Sequence, residues 1–295
     1  MVEHVAIYRA PTTVVDTEAV AAWLESRLEA SVTVRERFLD DVDGDELAER
    51  FAAARIRGPR ERETGNTMLG TVRYEMRALE HPEREGGVLY DGAQIARALN
   101  RELPADERGL EWAHVVLLDR ALATWGNHDG RWHKRVTVPG QPALVSVPGL
   151  YEAPAKPESY YQEQQRRALV SGDVPPREIL ERDVADEFLL EDDPRTTDAM
   201  CGYVLQAVHY LETGEPFCPE PTCRLYNAHT HEDLVRAQLV EPAFCVDHAA
   251  VYANVDAEAD ADAEADAVDG EDVNADTDKD ASDGADTVAK AEGGE

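Results

Sequence analysis

Apolar positions along the first 250 residues switch between two periods. In HVAIYRA, from His4, they alternate as in a strand, and Pro11 with Thr12 and Thr13 ends the run. DTEAVAAWLESRLEA then places Val20, Trp23, Leu24 and Leu28 on one helical face behind a cap at Asp16 or Thr17. SVTVRERFL returns to a period of two. Strand, helix and strand within about 35 residues predict a crossover unit against one sheet.

DELAERFAAARI reads as a short helix, TMLGTVRYEMRAL as a strand, and DGAQIARALN as another helix. WAHVVLLD is a continuous apolar run of strand length, expected where both faces of a sheet are covered. WHKRVTV and PALVSV are short strands joined by the turn sequence PGQP. GLYEAPAKP, Gly149 to Pro157, is rich in proline and is expected to run extended over the surface along a cleft. Beyond it helices dominate: ESYYQEQQRRALV, EILERDVADEFL, TTDAMCGYVLQAVHYLETG ended by Gly214, and HEDLVRAQL. The pattern implies an α/β (α+β) fold, a mixed sheet flanked by helices. Residues 1–150 form its α/β part and residues 151–253 a helical part of the same domain. From Asn254 to Glu295 alanine alternates with aspartate and glutamate without aromatics. Such a segment cannot bury enough surface to offset chain entropy, and we expect a disordered acidic tail.

Charge changes the picture. The chain carries 61 acidic and 29 basic residues, a net charge of −32, and lysine stands only at 134, 156, 279 and 290. Molar salt shortens the Debye length to about 3 Å and relieves such self-repulsion, so the composition points to a high-salt cytosol, as in haloarchaea. It disfavours nonspecific binding to nucleic acid or anionic membrane. No stretch approaches the ~20 apolar residues of a membrane span, and MVEHVAIYRA lacks the lead of an export signal, so the expected location is cytoplasmic.

In a reducing compartment cysteines serve as metal ligands or core residues more often than as disulfides. Cys218 and Cys223 form CxxxxC, and Cys245 with His248 forms CxxH, with a helix-length segment between the pairs. Four such donors make a structural zinc site that staples the C-terminal helical part. Cys201 lies on the apolar side of its helix and reads as core. His229 and His231 are alternatives to His248 as ligand, or partners of His209 in a second metal site. Asn227 or Thr230 is placed to cap the helix that follows. The stretch LYNAHTHEDLVRAQLVEPAF between the pairs has one arginine and three acids, which argues against a zinc ribbon for nucleic acid.

The residues around this site resemble those of the archaemetzincins, a family of zinc metallopeptidases with a helix HExxHxxGxxHC, then CxxxxC sharing that last cysteine, and a closing CxxC. Gly214, Cys218 and Cys223 fall in register, with Cys245 and His248 in place of the closing pair. The chain is also similar to an uncharacterised archaeal family grouped with the metallopeptidases, through Tyr151 to Pro157 (YEAPAKP) and Cys223 to His229 (CRLYNAH). The resemblance implies a metzincin-like fold and a retained structural zinc. In that register the catalytic histidine positions are Ala207, Leu211 and Phe217, and the glutamate position is Val208. None of these can bind zinc or activate water, and no HExxH occurs in the chain.

Three readings stay open. One is an intracellular zinc protein of this metallopeptidase-like group with hydrolysis altered or lost. Another is a peptide- or protein-binding module that uses the former peptidase cleft. The last is a hydrolase with a non-standard second metal, for which His209, Glu212, His229 and His231 are candidates. His128, Asp129 and His133 form another polar cluster, and Glu152 and Lys156 stand where a cleft wall is expected.

Overall fold

Two apolar clusters, one on each side of a single sheet, organise the chain. The computed structural model describes residues 1–10, 15–42, 44–62, 64, 67–82, 86–173, 176, 179–180, 188–191, 193–240 and 243–253. The expected acidic tail and most of the helix expected over EILERDVADEFL lie outside the described residues. The main sheet runs β2 (Ser31–Arg35), β1 (His4–Tyr8), β4 (Trp112–Leu118), β8 (Ala143–Ser146) and β7 (Thr137–Val138). Neighbours are parallel except β7, which returns antiparallel to β8 through the PGQP turn. Alternation along β4 sends Ala113, Val115 and Leu117 into one cluster and Val116 and Leu118 into the other. That is why its sequence is apolar throughout.

On the first face lie α1 (Thr17–Glu25) and α7 (Thr196–Thr213), the latter buried from Ala199 to His209. Asp16 caps α1 by accepting from the Ala19 amide at 3.1 Å. On the second face lie α2 (Gly44–Ala54), α3 (Leu69–Glu80) and α4 (Gly92–Asn100). A smaller sheet, β3 (Leu89–Asp91), β5 (Ala121–Gly126) and β6 (Arg131–Arg135), extends beside them.

Two expected elements change character. TMLGTVRYEMRAL is the helix α3, not a strand. Its inward residues, Val72, Glu75, Met76 and Leu79, follow helical spacing, but one of the four is a carboxylate, which hides the period. Gly149 to Pro157 does not run extended from its start. Val147–Glu152 is a short helix, α5, capped by Ser146 and carrying its proline in the first turn, where no backbone donor is lost. From Ala153 onward the segment is not helical, and Ala153 to Lys156 line a cleft, as expected.

Gly149 fixes how closely α5 approaches the sheet. A Cβ there would lie 2.6 Å from the Arg135 carbonyl oxygen and 2.9 Å from the Val136 Cα, both backbone. Gly149→Ala should therefore push α5 off the strand at a cost of about 1–3 kcal/mol. Urea unfolding of the variant checks this, and an unchanged midpoint would show that the backbone yields freely.

Among the described residues no helix is long and apolar enough to cross a membrane.

Candidate metal centre and cleft

The C-terminal end of α7 is where the chain turns back on itself. Gly214 leaves the helix with φ of 82°, a left-handed conformation that suits glycine. The chain then loops through Cys218 and Cys223, enters α8 (His231–Leu239) through a capping box at Thr230, and ends in α9 (Val246–Tyr252). Cys245 stands at the N-terminal boundary of α9 and His248 one turn inside it.

These turns bring four donors together. The ligand atoms of Cys218, Cys223, Cys245 and His248 all lie within 4.8 Å of one another. The Cys218 and Cys245 sulfurs are 3.8 Å apart, Cys223 Sγ and His248 Nδ1 3.8 Å, and Cys245 Sγ and His248 Nδ1 3.1 Å. A tetrahedral ion with metal–sulfur bonds of ~2.3 Å needs sulfur–sulfur edges of ~3.8 Å, so the cluster fits a metal ion of that type. None of the four cysteines of the chain is in a disulfide.

Burial pushes the Cys218 thiol up to about 12 and raises Cys223 as well, the latter against the pull of the Cys245 and Leu225 amides at its sulfur. Thiolates are thus costly here without a cation, and metal binding would release their protons. Cys201 is elsewhere, buried in α7 with its thiol bonded to the Thr197 carbonyl.

The loop is tied to α7 from beneath. Gln206 Nε2 donates to the Arg224 and Tyr226 carbonyls at 3.0 and 3.1 Å, and the buried Arg224 reaches the Asp198 carboxylate at 2.9 Å. His209 Nδ1 lies 2.8 Å from the Tyr252 hydroxyl, and its ring meets His248 edge-on at 5.3 Å. His209 is thus a buried contact that seats α9 on α7. Glu212, exposed, accepts from the Val2 amide at 3.3 Å.

The other histidines disperse. His231 is fully buried at the start of α8, its ring 5.2 Å from Phe188. His229 lines a separate cleft. Among the described residues His209, His229 and His231 do not form one metal-sized cluster. His128, Asp129 and His133 do come together, but Arg131 Nε also holds Asp129 at 2.6 Å. The His133 hydrogen bond, then Arg131, hold the Asp129 carboxyl down to about 2. A guanidinium already neutralising the carboxylate makes this exposed group a poor cation site.

The cleft has a volume of about 880 Å³. One wall is the run Tyr151 to Lys156, another is Asn227 to His229, and these distant segments are stitched together at Ala155. Its amide donates to the His229 carbonyl at 2.9 Å and its carbonyl accepts from the His231 amide at 2.9 Å. From α7 come Tyr203 and Gln206, and Phe217 closes one side. Sequence reasoning placed Glu152 and Lys156 here but missed Thr124, Arg135 and Tyr203. The one available signal was scarcity: Lys134 and Lys156, the two lysines before residue 279, both line this cleft.

No curated protein matches the chain. Its structure is similar to a zinc-dependent peptidase from Methanocorpusculum labreanum (strain Z), at 13% sequence identity and a TM-score of 0.43, covering 83% of this chain and 96% of that one. It is also similar to archaemetzincin from Methanopyrus kandleri, at 12% identity and a TM-score of 0.35, covering 83% and 91%. The sequence itself matches a family profile over residues 6–251, and the chain therefore belongs to DUF7001, a family of unknown function.

Proposed function

We propose that this chain is a zinc-stapled binding protein, whose metal is structural and whose cleft receives a peptide segment. The observation that carries the reading is the donor set. Three cysteines and one histidine supply four ligands, which fills a tetrahedral ion and leaves no open position for water or substrate. When bound, zinc would supply cross-linking of the loop and α9 and no reaction chemistry. None of the four donors lines the cleft.

The positions at which the archaemetzincin resemblance would put a catalytic zinc support binding over hydrolysis. Ala207 and Val208 are fully buried in the core, Leu211 packs against it, and Phe217 presents an apolar ring to the cleft. Tyr203 and Gln206, the α7 side chains that line the cleft, are not zinc ligands. At about 880 Å³ the cleft has the size of a small-ligand site, enough for a few residues of extended peptide.

Metal analysis of the purified full-length protein should give about one zinc per chain. Two metals, the second lost on His133→Ala, would revive the hydrolase reading through the His128, Asp129 and His133 group, and no metal would end the proposal.

A further inference from the structure

The cleft reverses the charge of the molecule. With 61 acidic against 29 basic residues, a wall drawn at random would carry about two acids for each base. The described residues lining the cleft instead include Arg131, Lys134, Arg135 and Lys156 against one carboxylate, Glu152.

Three of these cations are engaged. Lys134 donates to Glu152 at 2.5 Å, Arg131 to Asp129 at 2.6 Å, and the Lys156 ammonium lies 3.8 Å above the Phe188 ring. Arg135 differs. It is half-buried, its Nε donates to the Thr124 hydroxyl at 2.8 Å, and among the described residues it has no carboxylate partner. Its terminal nitrogens, a rigid planar fork suited to a carboxylate, have no acceptor there either. Burial lowers its pKa, but a guanidinium stays protonated in proteins, so the charge persists. A partly desolvated guanidinium without a counter-charge is costly in the unliganded protein, and an incoming anion would offset that cost.

Tyr203 supplies an independent observation. It is 4% exposed and lines the same cleft, yet its hydroxyl is buried with no hydrogen-bond partner among the described residues. Buried hydroxyls are normally paired, and one left unpaired on a cleft wall marks a place for a ligand acceptor. Tyr161 and Phe217, 48% and 37% exposed, add apolar surface on the same cleft.

We propose that the cleft selects peptides by one carboxylate, received by the Arg135 guanidinium with the Tyr203 hydroxyl as a second donor. The inference rests on the peptide-binding reading above. The carboxylate is either an acidic side chain or a C-terminus, and both offer the same two oxygens.

The test uses the zinc-loaded full-length protein and fluorescent heptapeptide pools, degenerate at six positions in uncharged residues. One pool carries a single glutamate and an amidated C-terminus, a second carries glutamine and a free C-terminus, and a third carries glutamine and an amide. Fluorescence anisotropy should show the third pool binding at least about 10-fold more weakly than one of the first two, which identifies the carboxylate's source. Arg135→Gln should weaken that favoured pool about 10–100-fold, the loss expected for a charge-assisted hydrogen bond, and leave the third unchanged. Tyr203→Phe should weaken it by less.

Should Arg135→Gln fail to fold, displacement from the wild-type protein reads the same point. Succinate should compete with the favoured pool, while chloride at equal ionic strength should not. Equal binding of all three pools overturns carboxylate selection and leaves peptide binding standing. Failure of every pool to bind overturns the peptide reading. If succinate then still binds in an Arg135-dependent way, the carboxylate site survives it.

Discussion

Cys223→Ser, or exposure to a strong chelator, should unfold the segment from Cys218 to Tyr252 while much of the sheet survives. Side-chain ties to α7 and core burial help hold the segment, but regular backbone structure does so only weakly. Between Gly214 and Thr230 the backbone is turns and isolated bridges, and α9 is seven residues long, far below the length at which a helix is stable by itself. A structural zinc contributes an apparent ~10–16 kcal/mol at neutral pH, comparable with the whole stability of a domain. Losing one of four ligands should cost enough of that to free Cys245 and His248 together. Amide exchange over residues 218–252 should rise toward unprotected rates, while β1 and β4, at the centre of the sheet, keep slow exchange. Cys201→Ser is the control, because that thiol packs in α7 and should leave zinc content unchanged. Full zinc occupancy and unchanged exchange in Cys223→Ser would end the structural-metal proposal.

The second large effect lies on the opposite face of the sheet. Glu75 is fully buried and is held by Arg120 Nη1 at 2.9 Å, by the Tyr90 hydroxyl at 3.1 Å to each oxygen, and by Arg55. Arg120, 3% exposed, also donates to Tyr90 at 2.6 Å and stacks 4.5 Å above Phe51. Glu75→Gln keeps the shape but removes the buried carboxylate that Arg120 and Arg55 both hold. Breaking a buried pair in this way costs about 3–5 kcal/mol, and a chain of this size should melt roughly 10 °C lower. Replacing Glu75 and Arg120 together by apolar residues of similar volume should recover most of the loss. Calorimetry of the single and double variants decides it: a single variant within a degree of wild type would show that the network carries little. Glu232→Gln, which breaks the exposed α8 pair with Arg236, should change stability by no more than about 0.5 kcal/mol.

That same network explains which parts of the fold the sequence disclosed. The strands β1, β2, β4 and β8 and the helices α1, α2, α4, α6 (Glu158–Ser171), α7 and α8 announce themselves by apolar period and by caps such as Asp16 and Thr230. α3 does not, because Glu75 faces inward, and what makes that tolerable comes from Arg55, Tyr90 and Arg120, each at least 15 residues away in the chain. β3 and α9 carry too few residues for a period to show, and β5, ALATWG, does not alternate apolar with polar positions. The spacing of Cys218, Cys223, Cys245 and His248 was visible because cysteine and histidine are chemically distinctive as metal donors. Arg135 and Tyr203 were not, since an arginine and a tyrosine say nothing of their partners until the fold shows that, among the described residues, the guanidinium lacks a carboxylate and the hydroxyl lacks a hydrogen bond.

The run from Cys223 to His229 links the donor cluster and the cleft by seven consecutive residues. Its first side chain belongs to the donor cluster, and its last three line the cleft, where the His229 carbonyl accepts from the Ala155 amide. A ligand and a metal that both favour the ordered form of this run must each tighten the other by the same factor, about 1.4 kcal/mol for every tenfold. Retention of zinc against a competing chelator would then report occupancy of the cleft, and could screen for a ligand without labelling it.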